Sequence, residues 1–220
     1  MMDRNARPIL ELAPTQWARF VLRMSPAAGS IDEKEALRLA SLALHAGRTA
    51  SIKIPFGATP YDFADDLGIL IFFNQDLRPE IRFAECHTLR GKTTITVFEE
   101  NLHRIQHAIT EAASLGVEID LDPLELILWH ELFHGMEHKS LYTDLLTARA
   151  ELCRLGPFTR TCRLRSLSEI GAMAFACSAC NWNFNPLILN YWLLASYDKQ
   201  EAERFAHALL SNHGHVQLSK

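Results

Sequence analysis

The sequence predicts an α+β fold, and three observations carry that expectation. Short apolar runs at strand period lie between residues 67 and 100, helical spacing dominates from 122 to 212, and no repeat, low-complexity segment or Gly/Ser-rich linker divides the chain. A mixed sheet-and-helix half, 1–120, is therefore expected to be followed by a helical half, 121–220, within one domain. A chain of 220 residues can bury one sizeable core, and 48% hydrophobic with 22% charged residues is a globular rather than a disordered composition.

In chain order, "DEKEALRLASLALHAG" (32–47) reads as a helix from an Asp cap to a terminal Gly, and "TASIKIPFG" (49–57) as a strand. "YDFADD" (61–66) is a turn or helix start, because it lacks the alternating ligands of a calcium loop. "LGILIFFN" (67–74), expected as a buried strand, "EIRFAECHT" (80–88) and "KTTITVFEE" (92–100) follow as strands of a small, mainly antiparallel sheet. "ENLHRIQHAITEAASLG" (100–116) is a helix; His103 and His107 share a face but have no acid between them, so a solvated face is expected rather than a second metal site. Helices are then predicted at 122–139, about 141–154, 166–181, 185–197 and 198–212, with the aromatics of "NWNFNPLILNYW" (181–192) packing in the core and His213 and His215 in a frayed tail.

Charge and cysteine usage narrow the function classes. A net charge of -4 offers no general attraction to nucleic acid or to an anionic membrane, and "RTCRLR" (160–165) reads as a solvated loop. The N-terminus, broken by charges and prolines, lacks the apolar run of a signal peptide, and the longest apolar runs are too short to span a bilayer, so a cytoplasmic protein is expected. Five cysteines argue against a fully paired secreted framework; Cys177 and Cys180 form a lone CxxC whose apolar, helical surroundings favour buried reduced thiols.

The chemistry concentrates in "LDPLELILWHELFHGMEHK" (121–139). Asp122 can accept from free amides and Pro123 lacks the donor that would be orphaned, so the helix starts there and its phase is set. His130, Glu131, His134, Glu137 and His138 then fall on one edge beside a broad apolar side. "HELFH" is an HExxH motif: its imidazoles at i and i+4 stand about 6 Å apart along the axis and can share one Zn²⁺, with Glu131 placed to act as a general base.

A catalytic zinc usually takes three protein ligands. His138 lies a full turn beyond His134 and suits a place behind the ligands or facing substrate. Glu169 in "SLSEIGAMAFACSAC", in the first turn of a helix capped by Ser166 or Ser168, is the preferred third ligand, and Glu151 in "ARAELC" is its rival.

"HELFH" with the later ExxAxxFA (Glu169, Ala172, Phe175, Ala176) resembles the zincin metallopeptidases whose third ligand is a glutamate, the gluzincin-like group, and among them most the ImmA/IrrE-type family. The resemblance covers roughly residues 65–180. It implies a zincin-like fold, with a sheet strand ahead of the active-site helix, here "KTTITVFEE", and an edge strand that pairs with extended substrate. The chain departs from the pattern in a long helix between that strand and HExxH, in Phe133 where "HELGH" has Gly, and in the 34 residues, 135 to 168, between His134 and Glu169.

The function expected is a peptidase with one zinc per chain, in which a metal-activated water attacks a polypeptide amide and Glu131 relays the proton to the leaving amine. Tyr142, Arg163, Arg165 and His138 are candidate donors to the oxyanion, and Thr93–Val97, if they line the cleft, would hold the substrate as an added strand. Two other classes stay open: a zinc-binding regulatory protein without turnover, working with a protein partner, and a thiol redox protein using Cys177 and Cys180.

Overall fold

A computed structural model describes residues 5–211 apart from 27–28, 30, 76–80, 115, 118, 140–144, 146–148 and 156–157; at 150–155, 159–160 and 162 it describes the backbone alone. The described elements are α1 (Ala6–Leu10), α2 (Pro14–Arg23), α3 (Glu33–Ser51), α4 (Pro60–Asp66), β1 (Ile69–Asn74), β2 (Ala84–Leu89), β3 (Lys92–Phe98), α5 (Glu99–Ser114), α6 (Pro123–His138), β4 (Arg149–Leu155), β5 (Phe158–Arg163), α7 (Arg165–Ala179), α8 (Leu187–Tyr197) and α9 (Lys199–Ser211). The architecture is mixed α+β, and among the described residues no helix is long and apolar enough to cross a membrane.

Helix α6 is the centre of the molecule. Asp122 accepts from the Leu124 amide at 2.9 Å and Pro123 opens the first turn, as the sequence predicts. The helix is buried on nearly every side: Leu126, Leu128, Trp129, Leu132, Phe133 and Met136 are all at most 4% exposed, and Glu131 and Glu137 are buried with them. The charged edge expected of an amphipathic helix is thus an interior wall, with His138 the residue that emerges.

Helix α7 crosses both α3 and α6 at close range, and two glycines allow it. A Cβ on Gly47 would overlap the Gly171 carbonyl oxygen and stand 2.9 Å from the Phe175 amide nitrogen, so backbones touch where a side chain would part them. Gly47 is therefore a packing position and not the helix end; α3 continues through Thr49, Ala50 and Ser51, which removes the strand expected at 49–57. Gly171 leaves space that Leu145 and Phe133 share: Leu145 Cδ1 lies 2.5 Å and Phe133 Cζ 3.0 Å from where a Cβ would stand, and the Phe133 ring is 5.6 Å from that of Phe175. The large residue at 133 and the absent side chain at 171 are complementary.

The sheet has the order β1-β3-β2. It is mixed and not mainly antiparallel: β1 runs parallel to β3, with Ile69 opposite Thr93, whereas β2 runs antiparallel, with Cys86 opposite Ile95. Strand β2 lies between β1 and β3 in sequence and runs opposite to both, so β3 returns parallel to β1; ahead of β1, "YDFADD" is helix rather than turn. Strand β1 is an outer strand whose Leu70, Phe72 and Phe73 are exposed, which corrects the buried strand expected there. The inner face packs on α6, where Gly135 lets Ile69 and Cys86 approach the helix backbone.

The helical second half is interrupted. Of the helix expected at about 141–154, the part from Arg149 onward is strand instead: β4 and β5 form an antiparallel hairpin with an irregularity between Glu151 and Cys153, so "RTCRLR" is strand and helix start and not a loop. Strand pairing across the hairpin supplies backbone partners that helical spacing in sequence does not reveal. His103 and His107 are exposed on α5, as predicted, and His213 and His215 lie outside the described residues. In "NWNFNPLILNYW", Trp182, Tyr191 and Trp192 are buried as expected, whereas Phe184 is exposed. The buried Asn185 donates to the Ile9 carbonyl at 3.0 Å and accepts from the Leu187 amide at 3.1 Å, tying α1 to the start of α8. Asn101, at the start of α5, donates to the Arg82 carbonyl at 2.6 Å and accepts from the Tyr197 hydroxyl at 2.6 Å, which anchors the segment leading into β2.

The Gly47–Gly171 contact yields a prediction. Gly47→Ala should destabilise the protein by about 1–3 kcal/mol through overpacking against backbone that has nowhere to move. A denaturant melt with an unchanged midpoint would contradict the close approach of α3 and α7.

A candidate metal centre

Three side chains from two helices converge at the floor of a cavity of about 680 Å³. His130 and His134, one turn apart on α6, bring their Nε2 atoms to 3.2 Å. Glu169 on α7 places Oε2 3.4 Å from His130 Nε2 and Oε1 3.6 Å from His134 Nε2. All three ligand atoms lie within 4.8 Å of one another. At ligand distances of about 2.0–2.2 Å, the edges of a tetrahedron around one ion are about 3.3–3.6 Å. The spacing therefore suits a shared cation, and His130, His134 and Glu169 lie close enough to hold one.

Glu137 holds His134, the second candidate ligand, in place. It is 3% exposed, and its Oε2 lies 3.1 Å from His134 Nδ1. An Nδ1–H donated there leaves Nε2 as the lone-pair nitrogen facing Glu169, the arrangement that fixes an imidazole for metal binding. Ser168 donates a short hydrogen bond to the same oxygen and lies 3.2 Å from His134 Nδ1. Glu137 Oε1 is buried with no hydrogen-bond partner. With Glu131 and Glu169 nearby, three of the pocket's carboxylates gather around the two imidazoles, a local anionic excess that a divalent cation would offset.

The electrostatics agree. Burial works against a charged His134, but hydrogen bonds to Glu137 and Glu169 and the charges of Glu169 and Glu131 outweigh it and raise the imidazole to about 10. Burial likewise opposes the Glu169 carboxylate, yet hydrogen bonds and charge from His130 and His134 hold it well below the usual carboxylate range. The site keeps its carboxylate ionised and draws positive charge to the imidazole beside it.

The cavity brings together most of the residues singled out from sequence. Glu131, His138, Arg163 and Arg165 line it with the three candidate ligands. Tyr142 lies outside the described residues, as does the side chain of Glu151, whose backbone sits in β4 opposite Thr161. Glu169 is in the second turn of α7, which begins at Arg165, and neither serine caps it: the residue before the helix is Leu164, and Ser168 turns to Glu137 instead. Thr93–Val97 do not form a free edge, since β3 is paired on both sides. The outer strand β2 lines the cavity instead, through Ala84, Glu85, Cys86 and His87.

Sequence reasoning missed Glu137 and Ser168 as supports of His134. The i+3 spacing of Glu137 from His134 was the available signal for one of them; for Ser168 there was none, because its partner lies 31 residues away. Cys177, in the last turn of α7, and Cys180, just after its end, are free, partly buried thiols. Burial raises both; Cys177 is pushed up to about 12, against the opposing charge of Arg48, and a nearby Glu125 raises Cys180 further. Such thiols hold little thiolate at neutral pH, which disfavours redox attack.

Two outcomes are expected. Because His134 carries a proton up to about pH 10 when no cation is bound, a divalent cation should displace it, so affinity rises with pH through neutrality and about one proton is released per ion. Calorimetry in buffers of different ionisation enthalpy reads that proton, and pH-independent binding would contradict it. Glu137→Ala should weaken binding of the ion about 10- to 100-fold, measured by chelator competition.

Comparison with protein-family models, with curated proteins and with solved structures finds no match to this chain.

Proposed function

We propose that the protein is a zinc-dependent peptidase with a zincin-like active site. One observation carries this reading: the paired Nε2 atoms of an HExxH helix face a carboxylate from a second helix at tetrahedral-edge spacing, on the floor of an open cleft that also holds Glu131. Two imidazole nitrogens and one carboxylate are a donor set that zinc takes in catalytic sites. Bound there, zinc would supply Lewis acidity and a lowered pKa for its water.

The chain's own residues do the rest. Glu131 is buried at the cleft floor beside His134, where it can take a proton from the attacking water and deliver it to the departing amine. His138, at the exposed end of α6, lines the same cleft and can donate to the carbonyl oxygen as charge develops. Strand β2 pairs with β3 on one side and lines the cleft with residues 84–87, so an extended polypeptide can lie along it through backbone bonds. The edge that binds substrate in this reading is β2, not the "TTITV" of β3.

Glu131→Gln tests the proposal. The variant should bind zinc stoichiometrically and lose at least about 100-fold in turnover of an unstructured polypeptide substrate, as removal of a general base does. Undiminished cleavage by the variant would sink the hydrolytic mechanism. Stoichiometric zinc with no cleavage by the wild-type chain would instead favour a regulatory metal protein.

A further inference from the structure

The charges of the cleft are separated. Its carboxylates turn inward: Glu169 to His130 and His134, Glu137 to His134 and Ser168. On the β2 wall, Glu85 is engaged by Arg82 at 2.8 Å and by His87 at 3.3 Å. The opposite rim is cationic. Arg163 and Arg165 flank the fully buried Leu164 at the junction of β5 and α7; both are exposed and both line the cavity. Arg149, directly across the hairpin from Arg163, donates to the Thr161 hydroxyl at 3.3 Å and is not part of the lining.

Arg165 is placed with respect to the chemistry. It precedes Glu169 by four residues on α7, so both lie on one helix face about 6 Å apart along the axis. Neighbouring residues of an extended peptide are about 3.8 Å apart, so a carbonyl held at the ligand cluster puts the adjacent residue within reach of this guanidinium. A planar guanidinium matches a carboxylate through two parallel hydrogen bonds.

We propose that Arg165, with Arg163 beside it, forms a carboxylate-binding subsite, and that the preferred substrate carries a carboxylate within one residue of the bond that is cut. This deepens the peptidase reading and rests on it for its meaning. The carboxylate can be a peptide's C-terminus or an acidic side chain.

The test separates these sources and separates the subsite from the reaction. Zinc-loaded Glu131→Gln protein is titrated with three probes: an N-acetylated tetra-alanine with a free C-terminus, its C-terminal amide, and the amide with Glu as the last residue. The acid or the Glu peptide should bind about 10- to 100-fold more tightly than the neutral amide, as a charged hydrogen bond does. Adding Arg165→Gln should abolish the preference without loss of zinc, and Arg165→Lys should keep part of it. Preference for the free acid alone identifies the C-terminus, and preference for both probes identifies any carboxylate. Equal or undetectable binding of the three, or a preference that survives Arg165→Gln, overturns the subsite. Preferential binding with no turnover by the wild-type chain overturns the peptidase reading and leaves the subsite standing.

Discussion

The crossing of α7 over α6 and α3 is the constraint on which the site depends. His130 and His134 are brought together by one helix, but their partner Glu169 lies 35 residues beyond His134, across a hairpin. What delivers it is backbone contact at Gly47 and Gly171 and the seating of Phe133 against Gly171. Gly171 is two residues from Glu169, so a shift of α7 by the width of a methyl group would move the carboxylate relative to the imidazoles. Packing at atomic density thereby sets a polar geometry, because close-packed interiors transmit small displacements instead of absorbing them.

Burying charge around two imidazoles has a cost that the arrangement must offset. Glu137 is nearly inaccessible, and one of its oxygens has no hydrogen-bond partner. A buried, incompletely paired carboxylate is destabilising unless positive charge stands close by. In the metal-free protein that charge is the raised His134 imidazolium; with a cation bound, it is the ion. The same group of residues that would hold the metal therefore links folding stability to metal occupancy, since a ligand that binds only the folded state stabilises it by mass action.

The cleft has two unlike walls. On one side stands β2, an outer strand tied through the Arg82 carbonyl to Asn101 and thence to Tyr197 of α8. On the other, the hairpin and the start of α7 present arginines. In the proposed peptidase, a backbone edge indifferent to side chains and a rim that selects for charge would divide affinity and specificity between them. That division is the physical content of the proposed peptidase and of its carboxylate preference.

How much of this was legible in sequence can be argued residue by residue. The start of α6, its phase, and the pairing of His130 with His134 were readable, because capping and i, i+4 spacing are local and need no knowledge of the rest of the chain. Gly47, by contrast, looks like a helix terminator and is a packing contact; "LGILIFFN" looks like a buried strand and is an exposed edge; Ser168 looks like a cap and is a support for Glu137. Each was misread for the same reason: its role is defined by a partner distant in sequence, and β pairing and interhelix contact leave no period in the chain. The sequence by itself determined the α+β class, the HExxH helix and its two imidazoles with Glu131, since these follow from local backbone geometry. Only the tertiary structure decided that Glu169 closes the cluster, that Glu137 orients His134, and that β2 and not β3 faces the cleft, because those depend on which surfaces can bury one another.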